Sequence, residues 1–161
     1  MSKLLKYLLI IVSALILQVT LLPAYLDDPF KPNLLLIMVV YLGFQGSMQG
    51  GSITSFFLGL LQDTFSGIYL GLHGFSYLFI FILLNKVANR FYTDNSFLLI
   101  LGAFLATILN GLLNLLLLMM FSAAEGFYLP LFAGLLPQGI MNALMASLLL
   151  TVAPLARLED R

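Results

Sequence analysis

The chain has 161 residues, of which 61% are hydrophobic and 9% charged, and its mean hydropathy is +1.08. A soluble domain carries about 25% charged residues, so this composition excludes a water-exposed globule and predicts an integral membrane protein. Zero net charge offers no footprint for nucleic acid, and the lack of cysteine removes disulfides, thiolate nucleophiles and thiolate-bound metal. A lone histidine, His73, is too little for a metal site, and no cofactor is expected.

Backbone amides that meet lipid must be satisfied within their own segment, and apolar runs of about 20 residues do so as helices. The expected fold class is therefore all-α, a single domain of six transmembrane helices. The apolar run that follows Lys3 and Lys6 in "MSKLLKYLLIIVSALILQVTLL" resembles that of a secretory signal. It has the length of a full span, however, and "LLPAYLDD" lacks a small-residue cleavage pattern, so it reads as an uncleaved helix over 4–22 that stops at Pro23.

After the loop "PAYLDDPFKPN", Pro32 sits where a helix accepts proline, just inside a start, and Asn33 follows it. The stretch "GFQGSMQGGS" then breaks the apolar run. Each glycine costs about 1 kcal/mol in a helix relative to alanine, so Gly46 and Gly50 mark a turn between two short helices, 34–45 and 51–62. Three further spans are expected at 68–84, 97–121 and 131–153, the last kinked or shortened by Pro137.

Charge distribution supports that count. With six spans and both termini in the cytoplasm, Lys3, Lys6, Lys86, Arg90, Arg157 and Arg161 lie inside and only Lys31 outside. Merging the second and third helices would move Lys86, Arg90, Arg157 and Arg161 outside. The same topology puts Asp27, Asp28, Asp63 and Glu125 at the outer face.

Helices in lipid meet through small residues and shared hydrogen bonds. Gly51, Ser55 and Gly59 recur every four residues, and Asp63, Gly67 and Gly71 continue the spacing. The third helix is therefore expected to be the central element. The fifth presents Gly102, Ala106, Asn110 and Asn114, the sixth Gly134, Gln138, Asn142 and Ala146, and the first Ser13 and Gln18. The amides read either as interhelical glue or as the lining of a substrate cavity.

Asp63 holds the only formal charge between Lys31 and Lys86. It reads as a structural pin that accepts hydrogen bonds from the exposed amides where the next helix starts, near residues 67–69. The competing reading is a carboxylate whose charge is used, with His73 as a catalytic partner. No nucleophile motif stands beside that pair.

The stretch "KPNLLLIMVVYLGFQGSMQGGSITSFFLGLLQDTFSGIYLGLHGFSYLFIFIL" resembles the rod-shape-determining membrane protein family MreD. That family shows Pro-Asn or Pro-Asp before a leucine-rich helix, a glycine break, and then G-x-x-x-D-x-x-x-G-x-x-x-G with a leucine before the last glycine. Here those positions are Pro32, Asn33, Gly59, Asp63, Gly67, Leu70 and Gly71. The stretch is more distantly similar to the S-components of energy-coupling-factor vitamin transporters, which implies a six-helix S-component-like fold and a small-molecule-binding transporter subunit as the alternative. The first resemblance implies a non-catalytic scaffold of the bacterial inner membrane, surrounded by membrane lipids. Its implied partners are MreC directly, and MreB, RodA and the transpeptidase of RodA in the same complex.

Overall fold

A continuous helical rod over residues 3–25, α1, opens the computed structural model, which describes residues 3–66, 69–90, 96–121 and 128–158. The rod is α-helical over Lys3–Ile16, π-helical over Leu17–Leu21 and α-helical again over Leu22–Tyr25. The expected stop at Pro23 is thus corrected to Tyr25. The wider turn lets the Leu22 amide donate back to the Leu17 carbonyl, and Pro23 then falls at the start of the next turn, where its missing N–H leaves no bond unmade.

The second helix, α2, spans Leu34–Gln45, as expected. Asn33 caps it, with its side-chain oxygen accepting from the Leu36 amide at 3.0 Å. Leu34 to Ile37, Val39 and Val40 are all buried, and α2 is exposed only towards its end, at Tyr41 and Gln45. It packs against α1 and against α3 (Met48–Ser66), α4 (Leu72–Ala88), α5 (Ser96–Phe121) and α6 (Tyr128–Leu158). The centre of the bundle is therefore α2 and not the third helix. A helix that is apolar on every side is covered along most of its length, whereas α3 keeps Ile53, Phe57 and Phe65 on an exposed face.

The break between α2 and α3 is stabilised from a distance. Helix ends leave carbonyls without partners, and Asn85 on α4 donates its amide hydrogens to the carbonyls of Gly43 at 3.3 Å and Gly46 at 3.1 Å. Helix α3 starts earlier than the expected 51 and runs past 62, absorbing Gly50 and Gly51 into its first turns. A side chain at Gly51 would run into the Phe81 ring of α4, whereas Gly50 is exposed and meets only the Ser47 hydroxyl. Helix α6 continues through Pro137 and exceeds 131–153. Neighbouring groups re-satisfy a carbonyl freed by proline in a packed bundle.

Two stretches, Phe97–Met120 in α5 and Phe132–Thr151 in α6, are long and apolar enough to cross a membrane. Shorter apolar stretches occupy Leu9–Tyr25, Leu34–Gln45 and Leu72–Ala88. At 1.5 Å per residue α2 covers about 18 Å, well short of a hydrocarbon core of about 30 Å. Ile16, Phe57, Phe79, Leu105 and Leu144 are exposed on the outer faces of their helices, a surface suited to lipid. The loop before α2 and the end of α3 share one end of the bundle, where Lys31 and Ser66 line one cavity. The end of α4 and the start of α5 meet elsewhere, with Val87 and Leu98 lining another.

Candidate functional site

At the α3–α4 corner the structure resolves what the lone carboxylate does. Gly71 has φ +98°, a left-handed conformation that glycine adopts without strain, and it is the N-cap of α4. With no side chain of its own to offer, it leaves the first amides of α4 to another helix. Asp63 supplies the acceptors: Oδ2 takes the amides of Gly71 at 2.8 Å and Gly74 at 3.2 Å, and Oδ1 takes the amide of His73 at 2.9 Å. The carboxylate caps α4 across the corner, where the helix dipole also favours negative charge. The sequence points to amides near 67–69; among the described residues the partners of Asp63 are the amides of Gly71, His73 and Gly74. Gly67 lies outside the described residues.

The His73 ring folds back onto the same carboxylate, with Nδ1 2.8 Å from Asp63 Oδ1. Both Asp63 oxygens already accept backbone amides, so Oδ1 accepts here too and Nδ1 donates. Nε2 is then the acceptor for Asn114 Nδ2 at 3.1 Å, and Asn114 Oδ1 accepts from the Ser76 hydroxyl at 2.8 Å. One assignment of protons satisfies the whole chain Ser76–Asn114–His73–Asp63. Asp63 and His73 are therefore paired, but Ser76 points its proton at an amide oxygen and is fully buried. Nothing in the constellation presents a nucleophile.

Close approach makes the corner possible. A Cβ on Gly59 would collide with the His73 carbonyl and lie 2.6 Å from Gly74 Cα, so the two backbones touch where the family pattern has glycine. Around Gly71 there is open space, and a side chain there would be penalised only by the backbone. Gly71→Ala should therefore cost about 1–2 kcal/mol, read as a lowered thermal midpoint in detergent, and Gly71→Asn should cost less. Leu70 is 81% exposed on the turn.

A second network surrounds Asn33. Its Nδ2 donates to the Tyr77 hydroxyl at 2.8 Å, and its backbone amide donates to Asn142 Oδ1 at 2.6 Å. Asn142 Nδ2 in turn donates to the Thr107 hydroxyl at 2.8 Å. Gln18 of α1 donates to Asn33 Oδ1 at 3.4 Å and to Gln62 Oε1 at 2.7 Å, and accepts from the Leu35 amide at 3.2 Å. Side chains from α1, α3, α4, α5 and α6 thus converge at the start of α2. The rings of His73 and Tyr77 meet edge to face with centroids 5.8 Å apart, so the two networks adjoin. Pro32 is buried beside Asn33.

The expected amide ladders divide on inspection. Asn114 and Asn142 bridge helices as glue would, while Gln138 makes no hydrogen bond to another described residue and lines a cavity. Asn110 is buried, and its Oδ1 has no partner among the described residues. Ser13 bonds back to the Ile10 carbonyl on an exposed face and joins no helices. Tyr77, Thr107, Gln62 and Asn85 were invisible as site residues because their partners lie 35 to 44 positions away. Among the described residues no group of three or more His, Cys, Asp or Glu could hold a metal ion.

Compared with known families, the chain matches the one described as rod shape-determining protein MreD, over residues 1–156. No curated protein and no solved structure matches it.

Proposed function

Because the chain belongs to the MreD family and has a role in rod shape determination, we propose that it is a non-catalytic membrane scaffold of the side-wall growth machinery. The observation that carries this reading is the corner. Both oxygens of Asp63 are taken by α4 amides and His73, and the far nitrogen of His73 is taken by Asn114. A group that reacts must be left free to reach a substrate. Here the titratable pair is spent on holding two helices together.

The arrangement we propose is six spans in the bacterial inner membrane with both termini in the cytoplasm, forming one domain of S-component-like fold. The shared end of the bundle that carries Asp28, Lys31 and Ser66 then faces outward. MreC docks there, against the exposed turn at Tyr69 and Leu70, and MreB, RodA and its transpeptidase join through the complex. Large apolar side chains on an exposed turn, next to a rigidly capped helix start, suit a protein contact.

Photo-crosslinking in cells tests this. A crosslinkable residue at Leu70 or Tyr25 should give an adduct with MreC, and one at Asn89 should not. Adducts formed only from Asn89 would overturn both the surface and the orientation.

A further inference from the structure

Between α1, the loop before α2, the end of α3 and α6 lies a half-open cavity of about 300 Å³. Its polar lining is not balanced between donors and acceptors. The Leu35 amide can only donate, so the Gln18 atom that it meets must be the oxygen, and the Gln18 nitrogen must be what contacts Gln62. Gln62 therefore spends its oxygen on Gln18 and keeps both hydrogens of its Nε2. Gln138 has no hydrogen-bond partner among the described residues and lines the same space. Lys31 also lines it, engaged among the described residues only by the exposed Asp28 carboxylate at 3.4 Å, which takes one of its three hydrogens.

These groups call for an acceptor-rich anion. The remaining wall is apolar, built from Leu15, Val19 and Phe65, and Val19 and Phe65 continue onto the exposed surface of the bundle. We propose that this cavity binds the phosphodiester head of a membrane lipid. Lys31, Gln62 and Gln138 donate to its oxygens, and the hydrocarbon chains leave along Val19 and Phe65. Asp28 opposes the ligand, because it competes for Lys31 and repels the phosphate. An exposed pair at that distance is weak, so a phosphate can displace it.

Native mass spectrometry of the full chain in detergent, titrated with phosphatidylglycerol, tests the assignment. Wild type should retain the lipid, and diacylglycerol with the same chains, which lacks the phosphate, should be held at least about fivefold more weakly. Lys31→Gln and Gln138→Leu should each weaken retention about fivefold, while Asp28→Asn should strengthen it. Lys86→Gln, remote from the cavity, should change nothing. Equal retention of the two lipids, or a loss with Lys86→Gln that matches Lys31→Gln, would mean scattered surface binding and overturn the proposal. Glycerol 3-phosphate bound as tightly as the lipid would overturn the lipid assignment in favour of a soluble phosphate ester. Should Gln138→Leu lower the thermal midpoint, the opposite effects expected at Lys31 and Asp28, both outside the helices, still decide the matter.

Discussion

Replacing Asp63 by asparagine should destabilise the fold by about 2–4 kcal/mol, even though the change is nearly isosteric. The carboxylate receives the Gly71 and Gly74 amides on one oxygen, and the His73 amide and ring on the other. An asparagine must turn its NH₂ toward one of these pairs. The cheaper choice faces His73, whose ring then moves its proton to Nε2 while the Asn114 amide flips and donates to Ser76. Even so, the His73 backbone amide stays buried and unpaired, at about 1–3 kcal/mol, and the charge at the start of α4 is lost.

In a chain of this size 1 kcal/mol moves the thermal midpoint by about 2–4 °C, so a fall of roughly 5–15 °C in detergent is expected. Cells carrying the variant should hold rod shape when grown cool and round up when grown warm. An unchanged midpoint together with loss of rod shape at every temperature would show that a partner uses the charge, and would end the reading of Asp63 as a pin.

The corner also marks the limit of what sequence alone can disclose. Gly59, Gly67 and Gly71, with an acid among them at the same four-residue spacing, announce a tight turn, because glycine at i, i+4 intervals on an apolar helix has few other uses. Which amides the acid reaches depends on where the next helix starts. That depends on the left-handed Gly71, and Gly71 carries no pattern that separates it from Gly67. The centrality of α2 was hidden for a different reason. A helix apolar on every side has no preferred face, so periodicity is silent about it, and the small-residue stripe of α3 drew attention instead. That stripe is real, with Gly51 against Phe81 and Gly59 against Gly74, but it describes one contact and not the centre. The amides of α5 and α6 were legible as buried polar positions. Their partners were not, since the contact of Asn142 with the Asn33 amide joins residues 109 apart. Gln138 shares the spacing of Asn142 and yet pairs with nothing described, so spacing locates a face without telling glue from lining.

The second large effect is expected at Asn33, where the replacement residue decides the outcome. Asn33→Leu removes the cap on the Leu36 amide and strands the Tyr77 hydroxyl at a nearly sealed position, while Gln18 keeps its bond to Gln62. Loss of the cap alone costs about 0.5–2 kcal/mol, and the stranded hydroxyl adds about 1 kcal/mol or more, for a total of about 2–3 kcal/mol. Asn33→Asp should cost under about 1 kcal/mol, because the Leu36 amide and Gln18 still donate to one oxygen at a helix start. The other oxygen takes the place of Nδ2, and Tyr77 reverses from acceptor to donor, which a hydroxyl can do and an amide cannot. This is a physical reason for an aspartate to be tolerated in place of Asn33. A double-mutant cycle with Tyr77→Phe checks the mechanism. Removing the hydroxyl should cost about 1 kcal/mol in the wild-type chain and about 1.5–3 kcal/mol in the Asn33→Asp background, because a hydrogen bond to a charged group is the stronger one. Equal costs in the two backgrounds would mean that Tyr77 does not reverse, and that the tolerance of an acid at the start of α2 comes from elsewhere.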